Sequence, residues 1–230
     1  MSKQLDYSFQ DASVLATTTR RHLDQLAAYK IDEAFVADFE VKTGVVRAKE
    51  VAYNDASNDY DQKTAVQKVQ IARALKVVAR YKKASHVIFL DDAVTRKEFG
   101  VGEKGTKSVK TLTTQLSHLK SVVDQRKEAV LNVGIKQEEI DEIGACLTDL
   151  VAADSVQEDA LRLRTTLYDE VMAGLKELEN IKRKIRKTAD LCFMDNKSVL
   201  AEFRSVVPPY KAKTTTTGRP RLRKPERIRE

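Results

Sequence analysis

One short stretch occurs twice in this chain, and it limits what the chain can fold into. Phe89-Leu90-Asp91-Asp92 is followed after five residues by Glu98-Phe99, and Phe193-Met194-Asp195-Asn196 is followed after five residues by Glu202-Phe203. The copies lie 104 positions apart, with no insertion between the first Phe and the last. Four of the seven phenylalanines fall in them, so the match uses scarce residues. Phe89, Asp91, Phe99, Phe193, Asp195 and Phe203 are read as the structural marks of a repeat, each copy closing one of two tandem units.

The same offset aligns Ile31 with Ile135, Val36 with Ile140 and Phe39 with Ile143. All four prolines lie at or after Pro208, so nothing before that point forbids long helices. Apolar residues recur at steps of three and four, as in Leu167, Val171, Leu175, Leu178, Ile181 and Ile185. The expected fold is all-α: two tandem three-helix units packed as an elongated, pseudo-symmetric bundle. The expected organisation is an N-terminal lead at 1–10, a first repeat at 11–99, a glycine-rich linker at 100–107, a second repeat at 108–207 and a tail at 208–230.

Within the first unit, a helix is expected from about Asp11 to Tyr29. A second should be capped by Asp32, and a third should run from about Asp61 to Leu90. Asn54-Asp55-Ala56-Ser57-Asn58-Asp59 is rich in residues that hydrogen-bond their own backbone, and predicts a turn or a loose helical section between the last two. In the second unit, Ser108 opens a helix to about Asn132, Gly134 ends it, and Asp154-Ser155 marks a joint before the longest helix.

Charge is distributed unevenly. From Arg204 to Glu230 there are nine Lys/Arg and two Asp/Glu, so this stretch carries the whole net charge of +7 and the preceding residues sum to zero. With few core-forming residues, the tail is expected to be disordered when alone. Lys211, Lys213, Arg219, Arg221, Arg223, Lys224, Arg227 and Arg229 are its candidate contacts to nucleic acid or another polyanion. Gly218-Arg219-Pro220-Arg221 resembles the centre of an AT-hook, a short extended motif of the minor groove. That resemblance implies Arg219 and Arg221 as groove arginines. A nonspecific basic tether and a merely solubilising end are the other readings of the same residues.

Two smaller basic clusters align at the same offset: Arg80, Lys82 and Lys83 with Lys184, Arg186 and Lys187. They read either as favourable cations near helix C-termini or as paired patches for an acidic partner.

Chemistry of other kinds finds little purchase. His22, His86 and His118 have no partner at metal-ligand spacing, and Cys146 and Cys192 lack a nucleophile signature. Both cysteines read as buried free thiols, which fits a reducing, cytoplasmic setting. The glycines between Gly100 and Gly105 match neither a P-loop nor a dinucleotide fingerprint. No stretch approaches a membrane span. The expectation is a non-enzymatic scaffold or assembly protein without cofactor or metal, pairing with itself or with a protein partner and tethered by its tail. The alternatives are a nucleic-acid-associated protein and a bundle that holds a small ligand.

Overall fold

The computed structural model describes residues 3–103 and 108–204, and the expected tail at 208–230 lies outside them. All the regular elements among the described residues are helical. In order they are α1 (Lys3–Arg21), α2 (Leu23–Leu26) with a 3₁₀ turn at Ala27–Tyr29, α3 (Glu33–Ile88), α4 (Ala93–Glu98), α5 (Val109–Gln125), α6 (Lys127–Asn132), α7 (Gln137–Cys192) and α8 (Lys197–Glu202).

Two of these dominate. α3 and α7 are each 56 residues long, about 84 Å at the α-helical rise. They run antiparallel, because partners descend along α7 as they ascend along α3. Lys42 pairs with Glu177 and Lys49 with Glu170, Gln67 Nε2 donates to Asp154 Oδ1, and Arg73 pairs with Asp149. The bounds of α7 and α8 lie 104 positions beyond those of α3 and α4. Lys30 and Gly134, also 104 apart, both take positive φ just before a long helix.

The expected turn at 54–59 does not form, and neither does the joint at Asp154–Ser155. Both stretches are uninterrupted helix. Local propensity against helix costs only a few tenths of a kcal/mol per residue, and interhelical partners override it. Tyr53 packs on Tyr168 with ring centroids 5.9 Å apart, Arg164 lies 4.6 Å over the Tyr60 ring, and Asp154 is held by Gln67. Each expected pair of helices is therefore one helix. Other boundaries move, and the helix expected to run to Tyr29 breaks at His22 into α1 and α2. The first helix starts at Lys3, inside the expected lead. The helix expected from Ser108 to Asn132 breaks at Arg126 into α5 and α6.

The units do not close on themselves either. One core gathers α1, α2, the start of α3 and the end of α7, with Phe193 and Phe203. The other gathers α5, α6, the start of α7 and the end of α3, with Phe99. Each core thus combines the opening of one half of the chain with the closing segment of the other. Phe89 meets Phe99 at 5.6 Å at the second end, and Phe193 meets Phe203 at 5.9 Å at the first. Asp92 and Asn196, the residues after the motif marks Asp91 and Asp195, cap α4 and α8 through their side chains.

Candidate interaction surfaces

Between the two ends the long helices run as a bare pair. From Val46 to Ala74 on α3 only Ala56 is buried among the intervening residues, and from Leu150 to Val171 on α7 only Ala160 is. This waist also leaves Thr64 Oγ1 and Gln70 Oε1 buried without a partner among the described residues. Among the described residues it is the thinnest and least completely satisfied part.

The short helices sit on one side of the rod. Glu33, Glu40 and Arg47 of α3 lie seven apart, along one line of the helix. Arg20 of α1 reaches Glu33 at 2.9 Å and Glu40 at 2.6 Å, and Arg47 lies 5.2 Å over the Phe9 ring. A different line of α3, through Phe35, Lys42 and Lys49, meets only α7 in these pairings. Lys184 lies over Phe35 at 4.6 Å, Lys42 reaches Glu177 at 2.7 Å and Lys49 reaches Glu170 at 3.0 Å. Towards the other end Arg73–Asp149 at 2.7 Å and Arg80–Glu142 at 3.1 Å continue the series.

This ladder lapses in the waist. By the register of 42 with 177 and 49 with 170, the next rungs are Ala56 with Leu163 and Lys63 with Val156. The first of these rungs is apolar on both sides, and at the second Lys63 faces Val156 and pairs instead with Asp59 of its own helix. Leu163 is 55% exposed, Val156 47% and Val66 52%.

The aligned basic clusters are tied into the body in different ways. Arg80 is shared by Glu139 and Glu142, and Lys82 Nζ donates to the Glu103 carbonyl. Lys184 lies on Phe35, and Arg186 makes a two-pronged contact with Asp11 at 2.7 and 2.8 Å. Lys83 and Lys187 are exposed. Six cations aligned in sequence thus stand in four different environments. Lys211 and the other candidate residues of the tail lie outside the described residues.

Sequence reasoning missed the polar network of the first end. Asp11 and Lys182 are both buried, and Lys182 Nζ reaches Asp11, Glu179 and the Ser8 hydroxyl. Burial pushes the Asp11 carboxyl up. The hydrogen bonds and charge of Arg186, joined by Lys182, more than offset this and hold it below the usual carboxylate range. The available signal was a lysine in the inward register of α7, between Leu178 and Ile185.

At the second end a cleft of about 490 Å³ lies over Phe99, walled by Lys82, Glu103, Lys110, Gln115 and His118. Its polar walls are cross-tied: Gln115 Nε2 donates to Glu103 Oε2 at 3.1 Å. Cys146 is buried, but Cys192 is only half-buried, a correction to the expectation of two buried thiols. They belong to opposite ends. Burial pushes both thiols up, against the opposing charge of Arg73 at Cys146 and a hydrogen bond from Tyr29 at Cys192, which disfavours the reactive thiolate. Among the described residues no group of three or more His, Cys, Asp or Glu is placed to hold a metal, and no helix is long and apolar enough to cross a membrane.

No protein-family model, curated protein or solved structure matches the chain.

Proposed function

We propose that the protein is a non-enzymatic, cytoplasmic interaction scaffold, built from two tandem repeat units, whose rigid body spaces two packed ends and whose basic tail tethers it to an anionic partner. The observation that carries this reading is the long α3–α7 pair, which has a core at each end and a free helical face between them. A pair of helices about 84 Å long is far longer than one core needs. It gives instead an extended surface on which partners can be arrayed. The repeat finds support in the 104-residue offset shared by α3 with α7 and α4 with α8.

The tether rests on charge. The +7 beyond Phe203 acts on a body of zero net charge, so polyanion binding should release counterions and weaken steeply with salt. The test pairs solution scattering with binding, on the full chain and on a full-length variant with Arg219, Arg221, Arg223 and Lys224 changed to Gln. Both proteins should scatter as a rod. The variant should lose most of its binding to heparin and to A/T-rich and G/C-rich duplexes, at each of two salt concentrations. A preference for A/T-rich duplex would make the AT-hook-like residues the specific contact and nucleic acid the partner. Undiminished binding by the variant would remove the tether, and a compact scattering profile would remove the scaffold.

A further inference from the structure

We infer that the free side of the waist is the seat of a second copy of this chain, docked back to back so that two long-helix pairs form a four-helix waist. The inference rests on the scaffold reading and names its partner. Three observations converge on it.

The first is the lapse in the ladder. Ion pairs close the free side towards both ends, through Lys42–Glu177 and Lys49–Glu170 at one and Arg73–Asp149 at the other. Between them Ala52, Val66, Val156 and Leu163 occupy this side, beside the Lys63–Asp59 pair within α3. Ala52 lets another helix pair approach closely, and Val66, Val156 and Leu163 supply apolar surface that is otherwise left in water. Apolar side chains inside a charged rim are the usual anatomy of a protein interface, and a lone ion pair among them is compatible with it.

The second is size. The lapse spans positions 49 to 73 of α3, about 37 Å of helix, and a helix pair is about 20 Å wide. The face therefore offers about 740 Å² per copy, close to the roughly 800 Å² per partner of a specific protein interface. The third is access. The short helices contact the opposite line of α3, through Glu33, Glu40 and Arg47, so they do not obstruct a flat approach to the free side. The register also places the midpoint of the long pair within the lapse, about Asn58 on α3 and Arg162 on α7. A near-symmetric face centred on its own midpoint suits a second identical face, as an isologous dimer requires.

The test is sedimentation equilibrium on the full chain, with solution scattering at the same concentrations. A reversible dimer is expected that keeps the length of the rod and doubles its cross-section. Leu163→Lys and Val66→Lys alter residues already exposed, and each should raise the dimer dissociation constant about tenfold or more. Met172→Lys, an equally exposed change away from this line of α7, should leave it within about twofold. Circular dichroism on each variant guards against loss of fold. A chain that stays monomeric at about 100 µM overturns the inference and leaves the scaffold standing. So does a dimer twice as long as the rod, or one broken by Met172→Lys and spared by Leu163→Lys.

Discussion

The two ends of the rod are built at equivalent positions, 104 residues apart, and they solve the same packing problem with different chemistry. At the first end Ser8, Asp11, Lys182 and Arg186 form a polar network beneath α1. The positions equivalent to them are Leu112, Gln115, Val78 and Lys82. There Leu112 and Val78 are buried apolar residues, and Lys82 turns to the Glu103 carbonyl. Polarity at the second end moves instead to Tyr81, whose hydroxyl donates to the Glu139 carbonyl at 2.9 Å, while the equivalent first-end position is Ile185. One backbone plan therefore tolerates either an ionic or an apolar filling. The ionic end is the one that a single substitution should damage most.

The largest effect expected is from Asp11→Ala. It leaves Lys182 and Arg186 facing a site without its carboxylate, and stranding buried charge costs about 3 kcal/mol or more. The equivalent change, Gln115→Ala, removes one exposed hydrogen bond and should cost under about 1 kcal/mol by urea denaturation. The combined variant Ser8→Leu, Asp11→Gln, Lys182→Val, Arg186→Lys transplants the second end's filling onto the first. It should match or exceed the wild type, since an apolar replacement of similar volume often improves on a buried ion pair. A combined variant as unstable as Asp11→Ala would show that the ends are not interchangeable.

Titration should separate the ends in opposite directions. The Asp11 carboxyl is held below its ordinary value, so its contribution is present above the unfolded carboxylate pKa and is lost as pH falls through the lower folded one. The first end should loosen in acid, below about pH 4. Tyr81 is pushed up to about 12, by burial first and then by the charge of Glu139. The stabilisation from keeping this phenol neutral is complete below its unfolded pKa of about 10 and is lost as pH rises towards 12. Near-UV spectra of Tyr81→Phe against wild type should lose only the late step towards pH 12, since six other tyrosines remain. Protease or labelling probes placed in α1 and α5 should report acid opening at α1 alone.

The close approach of the long helices gives a third contrast. A Cβ on Gly174 would lie 2.5 Å from Val46 Cγ2, whereas the equivalent position on α3 is Gln70. Gly174→Ala gains about 1 kcal/mol of helix propensity but forces the pair apart, and overpacking costs about 1–3 kcal/mol. A net loss of about 1 kcal/mol in thermal unfolding is expected. A gain would mean that Val46 moves aside freely.

Much of this architecture was legible in the chain. The repeated Phe–Phe segments, the absence of proline before Pro208 and the three–four spacing of Val171, Leu175 and Leu178 all lead to long helices and an offset plan. The breaks read into Asn54–Asp59 and Asp154–Ser155 were not real, because interhelical contacts at or beside them, Tyr53 on Tyr168 and Gln67 with Asp154, outweigh the local turn preference. Nor could spacing alone show that each closing segment completes the other half's core. That exchange depends on the antiparallel crossing, and the crossing depends on pairs such as Lys42–Glu177, far apart in sequence. The buried Asp11–Lys182 contact was hidden for the same reason. The apolar waist was visible as individual valines, but its meaning needed the register that sets Ala56 level with Leu163 where lysine and glutamate pair elsewhere.

The smallest contrast lies at the starts of the long helices. At α3 the Asp32 side chain accepts from the Phe35 amide at 2.9 Å, which is the N-cap half of a capping box. At α7 the Glu139 carboxylate accepts from the Lys136 amide at 3.0 Å, which is the other half. Each start therefore carries one of the two reciprocal bonds, because position 35 is Phe and position 136 is Lys. A lysine side chain has donors only, so it cannot supply the missing acceptor. Lys136→Asp should complete the box at α7 and place negative charge at the positive end of the helix dipole, for about 0.5–1 kcal/mol. Phe35→Glu would complete the chemistry at α3, but it would remove the ring under Lys184 and expose the first core. The two completions should therefore differ in sign, with a higher midpoint in urea for Lys136→Asp and a lower one for Phe35→Glu. Equal gains from both would mean that Phe35 contributes no packing, and that the starts of the two long helices are equivalent after all.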